Sequence, residues 1–362
     1  MSTATRPRIR IVRPFFADLI APLRTEADVV VEAERARDSA ELNTLLLDCD
    51  AAIVGLSDRI DAAVIAGNAR IRLIANLGVG HNNLDLPALT RAGIAASNTP
   101  EVLNESVADY AFALLLAAAR RLGEAERWLR AGQWQAPNRF DDWLGVEVHG
   151  ATLGILGMGR IGQAIARRAA GFSMSVLYHN RSRLDTAREH ACRARYVDKA
   201  TLLRAADFLM LVLPYTEQNR HAIGASELAL MKPGSVLVNI ARGGIVDDAA
   251  LAEALHARRI AAAALDVFED EPAPHPRLLM LDNVVLSPHI ASASTPTRRA
   301  MAQLALDNVR AVLGLAPGPP PSVLNPDVLD RAARKPQGPS DKSILDLSEG
   351  AESGTGPNSA TS

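Results

Sequence analysis

Three polar side chains stand where loops follow apolar runs, and their types suit proton transfer next to an anionic substrate. Arg242 lies in Asn239-Ile240-Ala241-Arg242-Gly243-Gly244, after the run Val236–Ile240. Glu271 closes Leu265-Asp266-Val267-Phe268-Glu269-Asp270-Glu271-Pro272, and His289 follows Val284–Leu286 in Ser287-Pro288-His289-Ile290. A planar guanidinium grips a carboxylate through forked hydrogen bonds, and an imidazole next to a carboxylate exchanges protons near neutrality. The carboxyl ends of strands in an open parallel sheet border its ligand crevice, so the three would converge on one ligand. Spacing alone leaves a structural role open, above all for His289, because a lone histidine after a strand is more often part of the packing.

A second motif is Gly157-Met158-Gly159-Arg160-Ile161-Gly162, a G-x-G-x-x-G between an apolar run and an amphipathic helical stretch. Its glycines permit a tight turn, close approach of backbone to a pyrophosphate and close helix–sheet packing, and the helix start offers free N–H groups. A glycine-rich turn without ligand is the alternative, and the strand–helix context favours a dinucleotide. The next strand ends at Tyr178-His179-Asn180-Arg181-Ser182-Arg183. An NAD site places an acid near here for the ribose 2′-hydroxyl, yet none occurs before Asp185. Arg181 and Arg183 would attract a 2′-phosphate instead, which predicts NADP; the alternative is a solvated loop with NAD held less selectively.

These groups need elements to hold them. The 362 residues suffice for two domains, and 48% hydrophobic with 22% charged residues suits a soluble protein with a sizeable core. A net charge of −2, with no basic half, argues against nucleic acid or an anionic membrane as partner. Cys49 and Cys192 stand far apart without a motif, and no His/Cys/Asp cluster has metal-ligand spacing. The stretch Met1 to Arg13 lacks the apolar core of a signal peptide, and the run Tyr110–Ala119 is too short to span a bilayer. A cytoplasmic location is expected. His149, His190, His221, His256 and His275 read as surface residues.

Strand-like runs at Ile9–Val12, Val29–Val31, Ala51–Val54 and Leu73–Ala75 alternate with helical stretches at Ser39–Leu47 and Asp61–Ala66. A long helix is expected over Ser106–Arg130, with a break at Gly123, after the turn Asn98-Thr99-Pro100. A second alternating region has strands at Thr152–Leu156, Met174–Tyr178, Phe208–Leu213, Val236–Ile240 and Val284–Leu286, with helices at Ile161–Ala170 and Asp247–Arg258. The class is α/β, with doubly wound parallel sheets. From Ala316 a tail rich in Pro, Gly and Ser is expected to be disordered, mainly over Arg331–Ser362.

Taken together, Leu77-Gly78-Val79-Gly80 with Asp85, Asn98-Thr99-Pro100, the glycine loop, the Arg242 and Glu271 segments and Pro288-His289 resemble the D-isomer-specific 2-hydroxyacid dehydrogenases. The resemblance runs from about Leu73 to Ala291, more loosely before it, and looks most like the NADP-dependent glyoxylate and hydroxypyruvate reductases. It implies two Rossmann-like domains with the active site in the cleft between them. Residues 1–98 with 291–315 would form a flavodoxin-like substrate domain, and 99–290 the nucleotide domain. It implies that His289 is the general acid–base, Glu271 its partner, and Arg242 the group that holds the substrate carboxylate and polarises the 2-oxo group. Leu77, Gly78, Val79 and Gly80 would receive the substrate. Gly157, Gly159, Arg160, Ile161, Gly162, Asn180, Arg181, Ser182, Pro214, Ile240 and Asp266 would hold the cofactor, NADP in preference to NAD. Hydride transfer would then reduce a small 2-oxo acid, glyoxylate or hydroxypyruvate, to the D-2-hydroxy acid. The resemblance also implies a homodimer.

Two stretches depart from the family pattern. After Gly80 an aromatic residue followed by an acid is usual, whereas here His81-Asn82-Asn83 stands, and His81 either borders the substrate or is an indifferent loop residue. The stretch from Trp134 to Trp143 is irregular for the family. Rival readings are a sister enzyme for phosphoglycerate, erythronate 4-phosphate, lactate or an aryl-lactate, and a nucleotide-sensing binding protein on the same fold.

Overall fold

Short runs of Val, Ile, Leu and Ala, apolar at consecutive positions, suit strands covered on both faces, and such strands belong in parallel sheets. The computed structural model, which describes residues 6–36 and 38–334, has two of them. The first comprises β1 (Arg8–Ile11), β2 (Asp28–Val31), β3 (Ala51–Val54), β4 (Leu73–Asn76) and β5 (Ala95–Ser97), in the order β2-β1-β3-β4-β5. The second comprises β6 (Thr152–Leu156), β7 (Ser175–His179), β8 (Ala194–Tyr196), β9 (Phe208–Leu211), β10 (Val236–Asn239), β11 (Ala262–Leu265) and β12 (Val284–Leu286), in the order β12-β11-β10-β9-β6-β7-β8. Every strand pairing within the sheets is parallel. The first order is the flavodoxin-like one and the second extends the dinucleotide-binding one; each reverses direction at a switch point, beside β1 and beside β6.

Helices cover both sheets. Asn104–Ala119 packs on the helix Arg160–Ala169 and on β10, β11 and β12, burying Ala108, Ala111, Leu115 and Ala119. The helix Thr295–Leu313 returns to the first sheet, against β3 and β4, and buries Ala305, Leu306 and Val309 with Ile9, Ile53 and Leu73.

Several expectations need correction. Residues 61–66 form turns, not a helix: Asp61 accepts from the N–H groups of Ala63 and Val64, but Gly67 at φ 73 ends the segment at once. The long helix breaks at Arg121, not Gly123. Arg121 is left-handed at φ 53, and its guanidinium is forked onto Glu124 and lies over the Trp143 ring. The tail expected to be disordered from Ala316 is folded through Arg334. Val323 bridges Ser97 in antiparallel fashion, Leu324 N donates to Ala96 O (2.7 Å), and Asp327–Arg334 is helical. The physical reason is the edge of β5, whose unpaired backbone groups need partners. Asn325 completes the cover, accepting from Ala96 N and donating to Thr90 Oγ1 and Ile94 O. The rest of the tail, from 335, lies outside the described residues. No helix among the described residues is long and apolar enough to cross a membrane.

Candidate active site

The segment after β4 is held open by its own scaffold. Asn76 Nδ2 donates to Gly80 O, Asn98 Nδ2 to Val79 O, and Thr99 N to Gly78 O. These bonds consume the carbonyls of residues 78–80. The N–H groups of Val79 and Gly80 have no acceptor among the described residues. Two free amides on a fixed loop suit a carboxylate.

Arg242, carried by the loop after β10, meets this segment from the other sheet. A Cβ on Gly80 would fall inside its guanidinium, 2.5 Å from Cζ and 2.8 Å from Nε, so glycine is what lets the side chain lie on the backbone. The guanidinium donates to Ala241 O (2.7 Å) and Asn82 Oδ1 (3.3 Å), and no carboxylate among the described residues pairs with it. Burial draws Arg242 down from its ordinary value, and the Glu271 charge opposes this. Gly243 packs against the Phe268 carbonyl, which brings the Arg242 and Glu271 loops together.

Glu271 Oε1 accepts from Phe268 N (3.1 Å), and Oε2 lies 2.8 Å from His289 Nδ1. A carboxylate accepts only, so Nδ1 is the protonated nitrogen and Nε2 is left for a substrate. Burial pushes the Glu271 carboxyl up. The hydrogen bond and charge of His289, the Phe268 amide and Arg242 outweigh it and hold the carboxyl below the usual range. His289 itself is left-handed at φ 55, and the turn it makes is clamped by Asp266. That buried carboxylate accepts from Ser287 Oγ (2.6 Å), Ile290 N (2.8 Å) and Ala291 N (2.8 Å).

Two cavities meet at this point. One, of about 690 Å³, runs from Arg13, Phe15 and Phe16 to Leu77 and Glu271; the other, of about 430 Å³, runs from Gly78–His81 to Gly159, Arg160 and Ile161. Arg242 and His289 line both. The 430 Å³ cavity also includes Pro214, Ile240 and Asp266.

The glycine loop fits a dinucleotide in its details. Gly157, at φ 106, has no room for a Cβ, which would stand 2.7 Å from Leu213 N. Gly162 lies directly on the Gly157 carbonyl, whereas a Cβ at Gly159 would meet nothing within 4 Å. One glycine turns, one leaves the approach open and one packs the helix, as a pyrophosphate at a helix N-terminus requires.

The residues after β7 divide in a way the sequence did not announce. Asn180 Oδ1 accepts from Met158 N (2.6 Å) and so braces the glycine loop. Arg183 is forked onto the buried Glu189 (2.8 and 2.7 Å), which also accepts from Tyr178 Oη (2.6 Å). The Arg183 and Tyr178 hydrogen bonds hold the Glu189 carboxyl at about 2. Arg181 and Ser182 are exposed, and Arg181 has no hydrogen-bond or ion-pair partner among the described residues. Of the two arginines expected to attract a 2′-phosphate, Arg183 is already paired with a carboxylate. Among residues that spacing did not mark, Asn82 touches Arg242, and Tyr215, Arg298 and Met301 line the cavities. His81 lines the 430 Å³ cavity.

Comparison with known proteins accords with this geometry. The family model described as D-isomer specific 2-hydroxyacid dehydrogenase, NAD binding domain, matches residues 112–291. The chain is 43% identical over 337 residues to a glyoxylate reductase of Thermococcus onnurineus, covering 91% of this chain and 99% of that protein. It is 46% identical over 284 residues to one of Korarchaeum cryptofilum, covering 78% and 84%. An NADPH-dependent glyoxylate/hydroxypyruvate reductase from Sinorhizobium meliloti, solved with NADP and malonate, superposes with a TM-score of 0.78 at 36% identity, covering 88% of this chain and 97% of that one. With a guanidinium that no carboxylate among the described residues pairs, a histidine–carboxylate pair and a glycine-rich strand–helix turn around one cleft, and with relatives matched over nearly their whole length, this chain belongs to the D-isomer specific 2-hydroxyacid dehydrogenases.

Proposed function

We propose that this enzyme is an NADPH-preferring reductase of small 2-oxo acids, with glyoxylate or hydroxypyruvate as substrate and the D-2-hydroxy acid as product. The observation that carries the proposal is the half-buried Arg242, with no carboxylate partner among the described residues, lying on Gly80 beside the free amides of Val79 and Gly80 at the wall of both cavities. A partly desolvated cation facing a cavity without a carboxylate beside it favours an incoming anion, and the substrate carboxylate would be that anion. The relatives named glyoxylate reductase support the substrate class.

Arg242 and the two amides would fix the carboxylate, and the guanidinium would also stabilise the charge that develops on the 2-oxo oxygen. A bound reduced nicotinamide supplies the hydride for C2. His289 Nε2 donates the proton that converts the alkoxide to a hydroxyl, and Glu271 balances the ring while it is charged. Gly157, Gly159, Arg160, Ile161 and Gly162 would hold the pyrophosphate; Pro214, Ile240 and Asp266 would border the nicotinamide. Arg181 and Ser182 would take the 2′-phosphate. Residues 1–98 and 291–315 would act as the substrate domain and 99–290 as the nucleotide domain, closing on the cleft.

The exposed apolar side chains Leu122, Leu129, Trp134, Phe140 and Leu144 lie on one excursion from the second sheet, and we assign them to a homodimer interface. Two buried thiols, Cys49 and Cys192, suit the reducing cytoplasm in which we place the enzyme. A cavity of about 690 Å³ lined by Phe15 and Phe16 favours, as a second reading, a 2-oxo acid with a larger side chain. Initial rates of cofactor oxidation with glyoxylate, hydroxypyruvate, pyruvate and phenylpyruvate, each with NADPH and NADH, test both. Fast turnover of the first two with NADPH is expected. A preference for phenylpyruvate would support the second reading, and no turnover of any acid would refute the assignment.

A further inference from the structure

Three loops meet behind the reacting groups: residues 214–224, residues 240–248 with Arg242, and residues 266–272 with Glu271. His221 ties them together. Its backbone N–H donates to Gly244 O (2.7 Å), and the same register continues with Ile223 N to Ile245 O and Asp247 N to Ile223 O. Its ring Nε2 lies 2.8 Å from Glu269 Oε1, two residues before Glu271. The left-handed φ of 50 is what allows backbone and ring to reach different loops. Read from sequence as a surface residue, His221 is half-buried, and it contributes nothing to the walls of the two cavities.

Charged groups from all three loops surround the ring. Arg220 shares the Glu269 oxygen (3.2 Å), and Asp247 Oδ2 stands 3.8 Å from the second ring nitrogen. Glu269 N donates to Asp248 Oδ2 (3.0 Å), and His275 lies near Asp248. Tyr215 packs on Gly244 and bonds to Glu217. Glu269 is therefore anchored by its backbone on one side and its carboxylate on the other. Phe268 N, the amide that holds Glu271 Oε1, is adjacent to this anchor.

We infer that His221 is a positioning residue: its ring, through Glu269, sets the backbone that aims Glu271 at His289, while its backbone sets the Arg242 loop. The inference rests on the reductase assignment above. It predicts a division of labour, because substitution removes the ring but leaves the backbone bond. In His221→Leu, kcat for the 2-oxo acid should fall about tenfold, while KM for that acid stays within threefold and NADPH binding is unchanged. His221→Gln, whose carboxamide N–H can still donate to Glu269, should recover kcat to within threefold of the native enzyme.

Steady-state kinetics of both variants and the native enzyme, with thermal melting alongside, decide the matter. A His221→Leu kcat within twofold of native overturns the inference, as does a rise in KM with kcat unchanged. Failure of His221→Gln to recover, with both variants melting early, assigns the residue to general stability and also overturns it. A native enzyme that reduces none of the four acids refutes the assignment itself, and the inference with it; an active native enzyme with indifferent variants refutes the inference alone.

Discussion

Gly80→Ala isolates the grip on the substrate from the stability of the fold. The residue has no left-handed φ, so alanine fits its backbone. The new Cβ would stand 2.5 Å from Arg242 Cζ, whereas ordinary contact is about 3.5–4.0 Å. The guanidinium must retreat by about 1 Å or more. It is the far end of a flexible side chain, so the move costs the fold little, and Gly→Ala at an allowed φ itself stabilises by about 0.4–1 kcal/mol. Catalysis should suffer far more, since a misplacement of about 1 Å costs roughly 10²-fold, or about 2.7 kcal/mol of transition-state stabilisation. The expected outcome is a kcat/KM for glyoxylate or hydroxypyruvate down about 10²-fold, with melting temperature and NADPH affinity close to native. Gly243→Ala is the contrast, because its Cβ would meet the Phe268 carbonyl, a backbone atom that cannot step aside. That variant should lose stability and activity together. A Gly80→Ala enzyme within threefold of native kcat/KM would refute the placement of the substrate carboxylate between Arg242 and Gly80.

Glu271→Gln should lower kcat by about 10²-fold or more, as expected when the partner of a general acid is neutralised. In the native enzyme the folded Glu271 carboxyl lies below its unfolded value, so its stabilisation is present above the unfolded value and fades as pH falls through the folded one. The acidic limb of kcat/KM should therefore begin below the ordinary glutamate range of about 4.3, provided the enzyme remains folded there. Arg181→Ala should raise KM for NADPH at least tenfold and leave NADH unchanged; equal effects on both cofactors would remove Arg181 from the 2′-phosphate. Arg183→Met, by contrast, should disturb both cofactors alike, because its partner is Glu189. Asn325→Ala should lower the melting temperature by several degrees without changing kcat, since it deletes the cover of β5 and strands the buried Ala96 amide at a cost of about 1–3 kcal/mol.

The reacting groups were legible because their signals are local. A glycine loop needs its three glycines within six residues, and Arg242, Glu271 and His289 each follow a strand or its extension at short distance. Strands rich in Val and Ile announced themselves, but β11 is Ala262-Ala263-Ala264-Leu265 and β5 is Ala95-Ala96-Ser97, and alanine carries no strand preference. Partner choice was not legible at all. Nothing near Arg183 in the sequence marks Glu189 as its captor, Asn82 reaches Arg242 across 160 positions, and the Val323 segment folds because β5 offers an edge.

The same contrast explains why convergence could be expected without coordinates. In a sheet whose strands all run one way, every loop after a strand emerges on one side. Here β6 delivers the glycine loop, β10 delivers Arg242, β11 the Asp266–Glu271 segment and β12 His289, while β1, β3 and β4 of the facing sheet deliver Arg13, Gly55–Ser57 and Leu77–Gly80. Parallel topology thus turns sequence order into a list of what borders the cleft. Which of these groups touch depends on where backbone can approach side chain, and in this enzyme that is settled at two glycines: Gly80 receives Arg242 from across the cleft, and Gly243 sets the Arg242 loop against the one that carries Glu271.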